Sequence, residues 1–220
     1  LPILPLKNTV LFPGVVVPIT VGRDRSLVLV KEAYAGDKII GVVTQNDEDV
    51  EEPGYDDLNH VGTVAQIIKL IKMPDGSRSI VIQGKSVFEV EEFTQEQPYF
   101  RAKTKAYPRE MDLHGLELSA SVRNIKETAV DIINKSPNIP SEAAIAVNNI
   151  NSPIFLLNFI ASNLNVHNED KQELLETQKF SENLDKIMEF LEQELQVLDM
   201  SEKIRTKVKS DIDDQQREFY

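Results

Sequence analysis

The residues best suited to chemistry in this sequence are a Gly-Lys-Ser triplet, three histidines and several carboxylates. Gly84-Lys85-Ser86 matches the end of a phosphate-binding loop. Such a loop needs a further glycine five residues before Gly84, because its amide groups must surround the phosphate, and Ser79 stands there instead. The sequence therefore predicts no nucleotide site, and residues 79–83 indicate a strand.

The remaining candidates do not combine into a catalytic or metal site. His60, His114 and His167 have no second histidine or carboxylate at ligand spacing on the same element, so each is interpreted as a surface or hydrogen-bonded histidine. Glu91 and Glu92 alternate across a strand and face opposite ways, which makes them a poor acid and base pair. We expect no catalytic, metal or cofactor-binding residues in this chain and no enzyme activity of its own.

Composition narrows the classes of partner. The 220 residues have a net charge of −12: residues 1–107 contain 12 basic and 15 acidic residues, and residues 108–220 contain 12 and 21. An acidic surface repels phosphate, so nucleic acid is not an expected partner. No apolar run approaches the roughly 18 residues of a membrane span, and the absence of cysteine fits the reducing cytoplasm. The start at Leu1, without a methionine or a leader, indicates an excised piece of a longer protein.

The first half of the chain has the pattern of a β domain. Within Leu4–Val21 two apolar runs flank Pro13-Gly14. Because proline cannot donate to a ladder, Pro18 places the second run near a sheet edge or marks a bulge in it. A short helix is expected at 25–35, with Gly36 as its C-cap, and further strands are expected at 38–45, 60–73, 79–83, 87–92 and 99–107. The acidic stretch 46–57 lacks the ligand spacing of an EF-hand and is interpreted as a solvated loop. Residues 1–107 are therefore predicted to form a compact, mostly antiparallel barrel or sandwich with one helix.

The second half, residues 108–220, has helical periodicity and is predicted to form an all-α bundle. Ser152-Pro153 marks a helix start, and the closing segment, about 181–220, contains no glycine or proline. The apolar residues of its first part form a heptad seam, Leu184, Met188, Leu191, Leu195 and Leu198. Those of its last part form a drifting stripe, Met200, Ile204, Val208 and Ile212. We expect the seam to pack on the bundle and the stripe to need another partner, within an oligomer or a neighbouring domain.

Several blocks of this sequence together resemble the amino-terminal domain of Lon protease. The blocks are PLKNTVLFPGVVVPITVGRDRS at 5–26, IGVVTQ at 40–45, DLNHVGTVAQI at 57–67, KMPDGSRSIVIQG at 72–84, PYFRAK at 98–103 and LEQELQVLDMSEKIRTKVKSDIDDQQREFY at 191–220. The resemblance implies an α+β chain, with a PUA-like β pseudo-barrel followed by a helical bundle that ends in a long, projecting, coiled-coil-like helix. In Lon-like proteins an ATP-driven unfoldase and a serine–lysine peptidase follow, and none of their functional residues corresponds to a position here.

The leading hypothesis is a non-catalytic substrate-recognition and assembly module of a cytoplasmic, homo-oligomeric, ATP-dependent protease. It would hold unfolded, damaged or degron-bearing proteins for the other modules of the same protease. The candidate substrate contacts are Leu11, Phe12, Pro13, Arg23, Asp24, Arg25 and Leu27. Leu11 and Phe12 also fit a place in the core. The alternative is a freestanding scaffold or adaptor of the same fold that binds one protein partner or a small ligand.

Overall fold

The computed structural model describes residues 1–218 as an α+β chain, as predicted. Six strands come first in the chain, with one helix and a short 3-10 turn among them. The strands are β1 Pro2–Leu6, β2 Val16–Val21, β3 Ile39–Thr44, β4 Val61–Lys72, β5 Arg78–Gln95 and β6 Phe100–Ala106. The helices are α1 Asp24–Ala35, α2 Gly115–Lys135, α3 Glu142–Asn148, α4 Pro153–Asn163, α5 Asn168–Glu176 and α6 Phe180–Glu218.

Five of the strands close into a ring, because β5, β4, β3, β1 and β6 pair in sequence and β6 pairs again with β5. Strand β2 pairs with β5 alone, so the strand that contains Pro18 lies at an edge, as expected from its missing donor. The β1–β3 pair is parallel, and the other pairs are antiparallel. The result is a pseudo-barrel with one additional edge strand.

The stretch 78–95 is one long strand rather than the two strands predicted at 79–83 and 87–92. Gly84 does not break the strand. A Cβ at this position would lie 2.4 Å from the carbonyl oxygen of Phe12, so the glycine instead lets the segment after β1 approach the sheet. The Gly-Lys-Ser triplet therefore lies inside β5, in extended backbone.

The barrel and the helical bundle share one hydrophobic core. A single cluster of buried side chains includes Phe12 and Ile67 from the barrel together with Ile125, Leu174 and Phe180 from the helices. A second, smaller cluster includes Phe88 and Phe100 and is formed by residues of the first half of the chain alone. Strands give way to helices between Ala106 and Gly115, close to the predicted boundary at 107, and the division into two domains stays a prediction.

The ends of the helices follow the sequence signals. The Ser152 Oγ accepts a hydrogen bond from the backbone N–H of Phe155 at 3.2 Å, and Pro153 occupies the first turn. Gly36 ends α1 and donates its backbone N–H to two carbonyl groups of the last turn. Helix α6 has 39 residues and is about 58 Å long. Phe219 and Tyr220, which the predicted closing helix included, lie outside the described residues.

Within residues 1–218, no helix combines the length and the apolar character that crossing a membrane requires.

Candidate functional site

The predicted contact at Leu11 and Phe12 does not form an exposed patch. These side chains are 2% and 0% exposed and belong to the shared core. The carbonyl group of Leu11 accepts a hydrogen bond from the Thr63 hydroxyl at 2.6 Å, which fixes the segment against β4. Leu11 and Phe12 take the place in the core that the sequence also allowed, and helix α4 covers the Pro13-Gly14 break beside them.

The residues after Phe12 belong to the junction between barrel and bundle. Pro13 is half-buried, and its carbonyl group accepts a hydrogen bond from Asn158 Nδ2 of α4 at 3.3 Å. Gly14 has a φ of +82°, and a Cβ there would lie 2.6 Å from the Phe155 ring. The Pro13-Gly14 break therefore serves as a docking point for α4, a role that local sequence pattern does not reveal.

The other four predicted contacts lie together at the start of α1. Arg23, Arg25 and Leu27 are partly buried and Asp24 is exposed. Arg25 lies 3.6 Å from the Glu96 carboxylate and 5.8 Å from the centre of the Phe100 ring. These contacts place charged and apolar surface side by side.

A cavity of about 410 Å³, which we call the helix-start cavity, opens beside these residues. It is lined by Arg23, Arg25, Glu51, Glu52, Tyr99 and Phe100. Burial lowers the pKa of the Arg23 guanidinium, and the nearby Glu51 acts in the opposite direction. Arg23 also donates a hydrogen bond to the Gln45 side chain, so its head group is held in place. The cavity combines fixed cations, carboxylates and two aromatic rings.

A larger cleft of about 1090 Å³, the acidic cleft, lies between the 46–57 loop and helix α5. Its carboxylates are Asp47, Glu48, Asp49, Glu169, Glu173 and Glu176. The loop was recognisable from its composition, but its pairing with α5 was not, because the two segments are over a hundred residues apart. In the part of the chain that the structure describes, no three acidic or histidine side chains are arranged to hold a metal ion.

A third cavity, the junction cavity, lies where the barrel meets the bundle and has a volume of about 410 Å³. Its lining includes Val87, Phe88, Arg109, Ile154, Asn158 and Leu175. Arg109 donates a hydrogen bond to the carbonyl oxygen of Thr177, and Tyr107 donates one to the carbonyl oxygen of Glu176 at 2.8 Å. Burial lowers the pKa of the Arg109 guanidinium to about 10, so the group stays charged at neutral pH. No signal in the sequence marks Arg109, which stands in a polar linker with no motif around it.

The stripe predicted on the last part of the closing helix is exposed. Met200, Ile204, Val208 and Ile212 are 65%, 58%, 50% and 49% exposed. By contrast, Leu184 and Leu191 of the seam are buried, and Met188, Leu195 and Leu198 are partly buried against the core. The seam packs on the bundle, as expected, and the partner of the stripe stays a prediction.

The architecture defines the class of protein. It is a closed β barrel that shares a common core with a helical bundle, from which one helix projects. The family model of the ATP-dependent protease La (LON) substrate-binding domain matches residues 1–193. The chain belongs to this family, which confirms the resemblance seen in the sequence.

Relatives and solved structures agree with this assignment. The chain is 47% identical over its whole length to a Lon protease of Flavobacterium johnsoniae and 44% identical to one of Cytophaga hutchinsonii, and it spans 27% of the length of each. The N-terminal domain of the Mycobacterium avium complex Lon protease matches with a TM-score of 0.70 at 19% identity, over 87% of this chain and 97% of that one. A Lon N-terminal domain protein from Xanthomonas campestris matches with a TM-score of 0.60 at 16% identity, over 86% and 96%.

Proposed function

We propose that this chain is the non-catalytic substrate-recognition and assembly module of a cytoplasmic Lon-type ATP-dependent protease. It would hold unfolded, damaged or degron-bearing proteins for ATPase and peptidase modules of the same protein. The observation that supports this most directly is the match of residues 1–193 to a substrate-binding family model. The relatives, of which this chain spans about a quarter, carry the name of the whole protease.

The helix-start cavity is the proposed contact with substrate. Arg23, Asp24, Arg25 and Leu27 surround or adjoin it, and together with Tyr99 and Phe100 they offer charge and apolar surface in one place. Such a surface suits weak binding of unfolded segments without a fixed sequence. Weak contacts become effective when several copies of the module act together, because linked sites raise the effective concentration.

Charge reversal at this cavity tests the proposal. The probe is a reduced, carboxymethylated protein that stays unfolded, and its affinity for the folded chain is measured by fluorescence anisotropy. Arg25→Glu should weaken binding by about 5- to 10-fold, equivalent to the roughly 1–1.4 kcal/mol of a contact residue. The matched control is Arg123→Glu, which makes the same charge change on an exposed face of α2. Equal affinities of both variants and the unmodified chain would remove the helix-start cavity from the substrate site.

The apolar stripe Met200, Ile204, Val208 and Ile212 is the proposed assembly surface. These four large apolar side chains lie along one helix, and each is about half exposed or more. Such a stripe favours a helical partner, which we place in a second copy of the chain or in another module. Sedimentation across a concentration series tests the first case. Association that Ile204→Asp abolishes supports it, whereas a monomer at every concentration assigns the stripe to another module.

A further inference from the structure

The junction cavity has apolar residues and several polar groups in its lining. Val87 of the barrel lines it together with Ile154 and Leu175 of the bundle, and all three side chains belong to the shared core or pack against it. Its polar lining includes Asn158, which is 3% exposed. Apolar walls with a few fixed polar groups are typical of pockets that bind a small apolar group in one orientation.

The charge of this cavity is opposite to that of the chain. The chain has a net charge of −12, yet the lining residues include two cations, Lys105 and Arg109, and no carboxylate among those that the structure describes. The helix-start cavity and the acidic cleft are both lined by several carboxylates. Because Lys105 pairs with the Glu89 carboxylate, Arg109 is the lining cation that is left without an anionic partner among the described residues.

Arg109 has no anionic partner within the described residues 1–218. It forms none of the ion pairs present there, and its hydrogen bond goes to a backbone carbonyl group. Lys105, by contrast, lies 3.2 Å from the Glu89 carboxylate. A guanidinium group has five N–H donors, so several remain after the bond to Thr177. A largely buried cation without a counter-ion is unfavourable, and a bound anion would relieve that cost.

We propose that the junction cavity binds a carboxylate attached to an apolar side chain, and that its occupant is the C-terminus of an unfolded polypeptide. Arg109 pairs with the terminal carboxylate through two N–H donors, as arginine does with planar oxyanions. The apolar walls around Ile154 and Leu175 hold the last side chain. This inference rests on the proposed function, since it assigns one class of substrate end to the same module.

Two peptides that differ only at the C-terminus test this directly. Both are fluorescently labelled at the N-terminus and end in leucine, one with a free carboxylate and one with an amide. The unmodified 220-residue chain should bind the carboxylate form at least 10-fold more tightly. Equal binding overturns the proposal. Displacement by a short branched carboxylic acid, without any preference between the two peptides, also overturns it and assigns the cavity to small acids.

Arg109→Gln identifies the residue responsible. Glutamine keeps a donor for the Thr177 carbonyl group but removes the charge, so the variant should bind both peptides equally. Arg123→Gln removes one exposed charge from α2 and should keep the preference of the unmodified chain. A preference that survives in folded Arg109→Gln contradicts the assignment. If Arg109→Gln fails to fold, Arg109→Lys, which retains a positive charge, is used instead. Its preference for the carboxylate peptide over the amide peptide should be smaller than that of the unmodified chain but still present.

The unfolded-protein probe separates this proposal from the function it rests on. If the carboxymethylated protein binds and the two peptides bind equally, only the junction-cavity proposal fails. If the unfolded protein does not bind but the carboxylate peptide does, the general substrate-holding role fails and the cavity stands as a carboxylate site. If nothing binds, both fail.

Discussion

The two halves of helix α6 have the same amphipathic character and opposite environments. In the first half, Ile187 is 0% exposed and Leu191 is 5% exposed, and both belong to the core shared with the barrel. In the second half, Ile204 and Val208 are 58% and 50% exposed. The side chains are of the same kind, so the difference lies in whether the fold supplies a partner.

This contrast shows what an apolar stripe does and does not indicate. Periodic apolar residues show that a helix face favours burial, but the stability they contribute depends on contacts made elsewhere in the chain. In the first half those contacts are intramolecular, and they connect the helix to α2 and α4. In the second half the apolar side chains are exposed, which is the basis of the proposed assembly surface.

The largest expected effect comes from shortening one isoleucine in each half of the helix. Ile187→Ala should lower the free energy of unfolding by about 2–5 kcal/mol, because it leaves a cavity in the shared core. Ile204→Ala should change it by no more than about 0.5 kcal/mol when the chain is kept dilute enough to be monomeric. Urea denaturation of both variants measures the difference. Similar losses would mean that the second half of the helix is also packed within the monomer.

Two glycines, Gly14 at the barrel–bundle junction and Gly76 in an exposed turn, can each be given one methyl group by substitution with alanine. Gly14→Ala should destabilise the chain by about 2–4 kcal/mol, since it combines an unfavourable positive φ with a contact to the Phe155 ring. Gly76 in the β4–β5 turn has a φ of +89°, but an added Cβ there would meet nothing within 4 Å, so Gly76→Ala should cost only about 1–2 kcal/mol.

Thermal or urea unfolding of Gly14→Ala and Gly76→Ala gives the difference attributable to packing. A larger loss at Gly76 than at Gly14 would show that α4 moves away from the Pro13-Gly14 break without cost. That result would also weaken the description of the junction cavity, whose walls include Ile154 of the same helix.

Local signals in the sequence predicted the elements well. Ser152-Pro153 and Gly36 marked a helix start and a helix end, and Pro18 correctly placed β2 at a sheet edge. These features depend on neighbouring residues, and capping or a missing donor acts within a few positions. The spacing of the apolar residues of α6 changes after Leu198. The apolar side chains of the seam are packed up to this residue, and those of the stripe are exposed from Met200 onward.

The sites were less predictable because they depend on contacts between distant residues. Phe12 is core rather than surface since α4, about 140 residues later, covers the break beside it. The hydrogen bond from Asn158 to Pro13 joins residues 145 positions apart. Arg109 stands in a linker that resembles solvent-exposed chain until the α5–α6 connection packs on it. Periodicity shows which faces are buried, but it does not show which elements meet.

The smallest expected effect concerns the start of α6, where the packed half of the helix is attached to the linker before α2. Asp112 accepts hydrogen bonds from the Ser181 hydroxyl and from the Ser181 backbone N–H, the latter at 2.8 Å. The Ser181 hydroxyl, followed by the backbone N–H, lowers the pKa of the Asp112 carboxyl group. Because this pKa is lower in the folded chain, the carboxylate stabilises the fold above the unfolded value near 3.8 and loses that effect as the pH falls through the folded value.

The melting temperature of Asp112→Ala should therefore be slightly below that of the unmodified chain between pH 5 and pH 7, and the gap should narrow as the pH falls below about 4. Thermal melts followed by circular dichroism over this range measure the gap. Asp211→Ala, which removes an exposed carboxylate from the second half of α6, is the matched control for the loss of one negative charge. A gap at Asp112 that stays constant down to pH 3 would mean that the neutral side chain supports the helix start equally well. The attachment of α6 would then depend on its apolar seam and on the backbone bonds of Glu110, which donates to the Gln178 carbonyl group and accepts from the N–H of Phe180, the first residue of the helix.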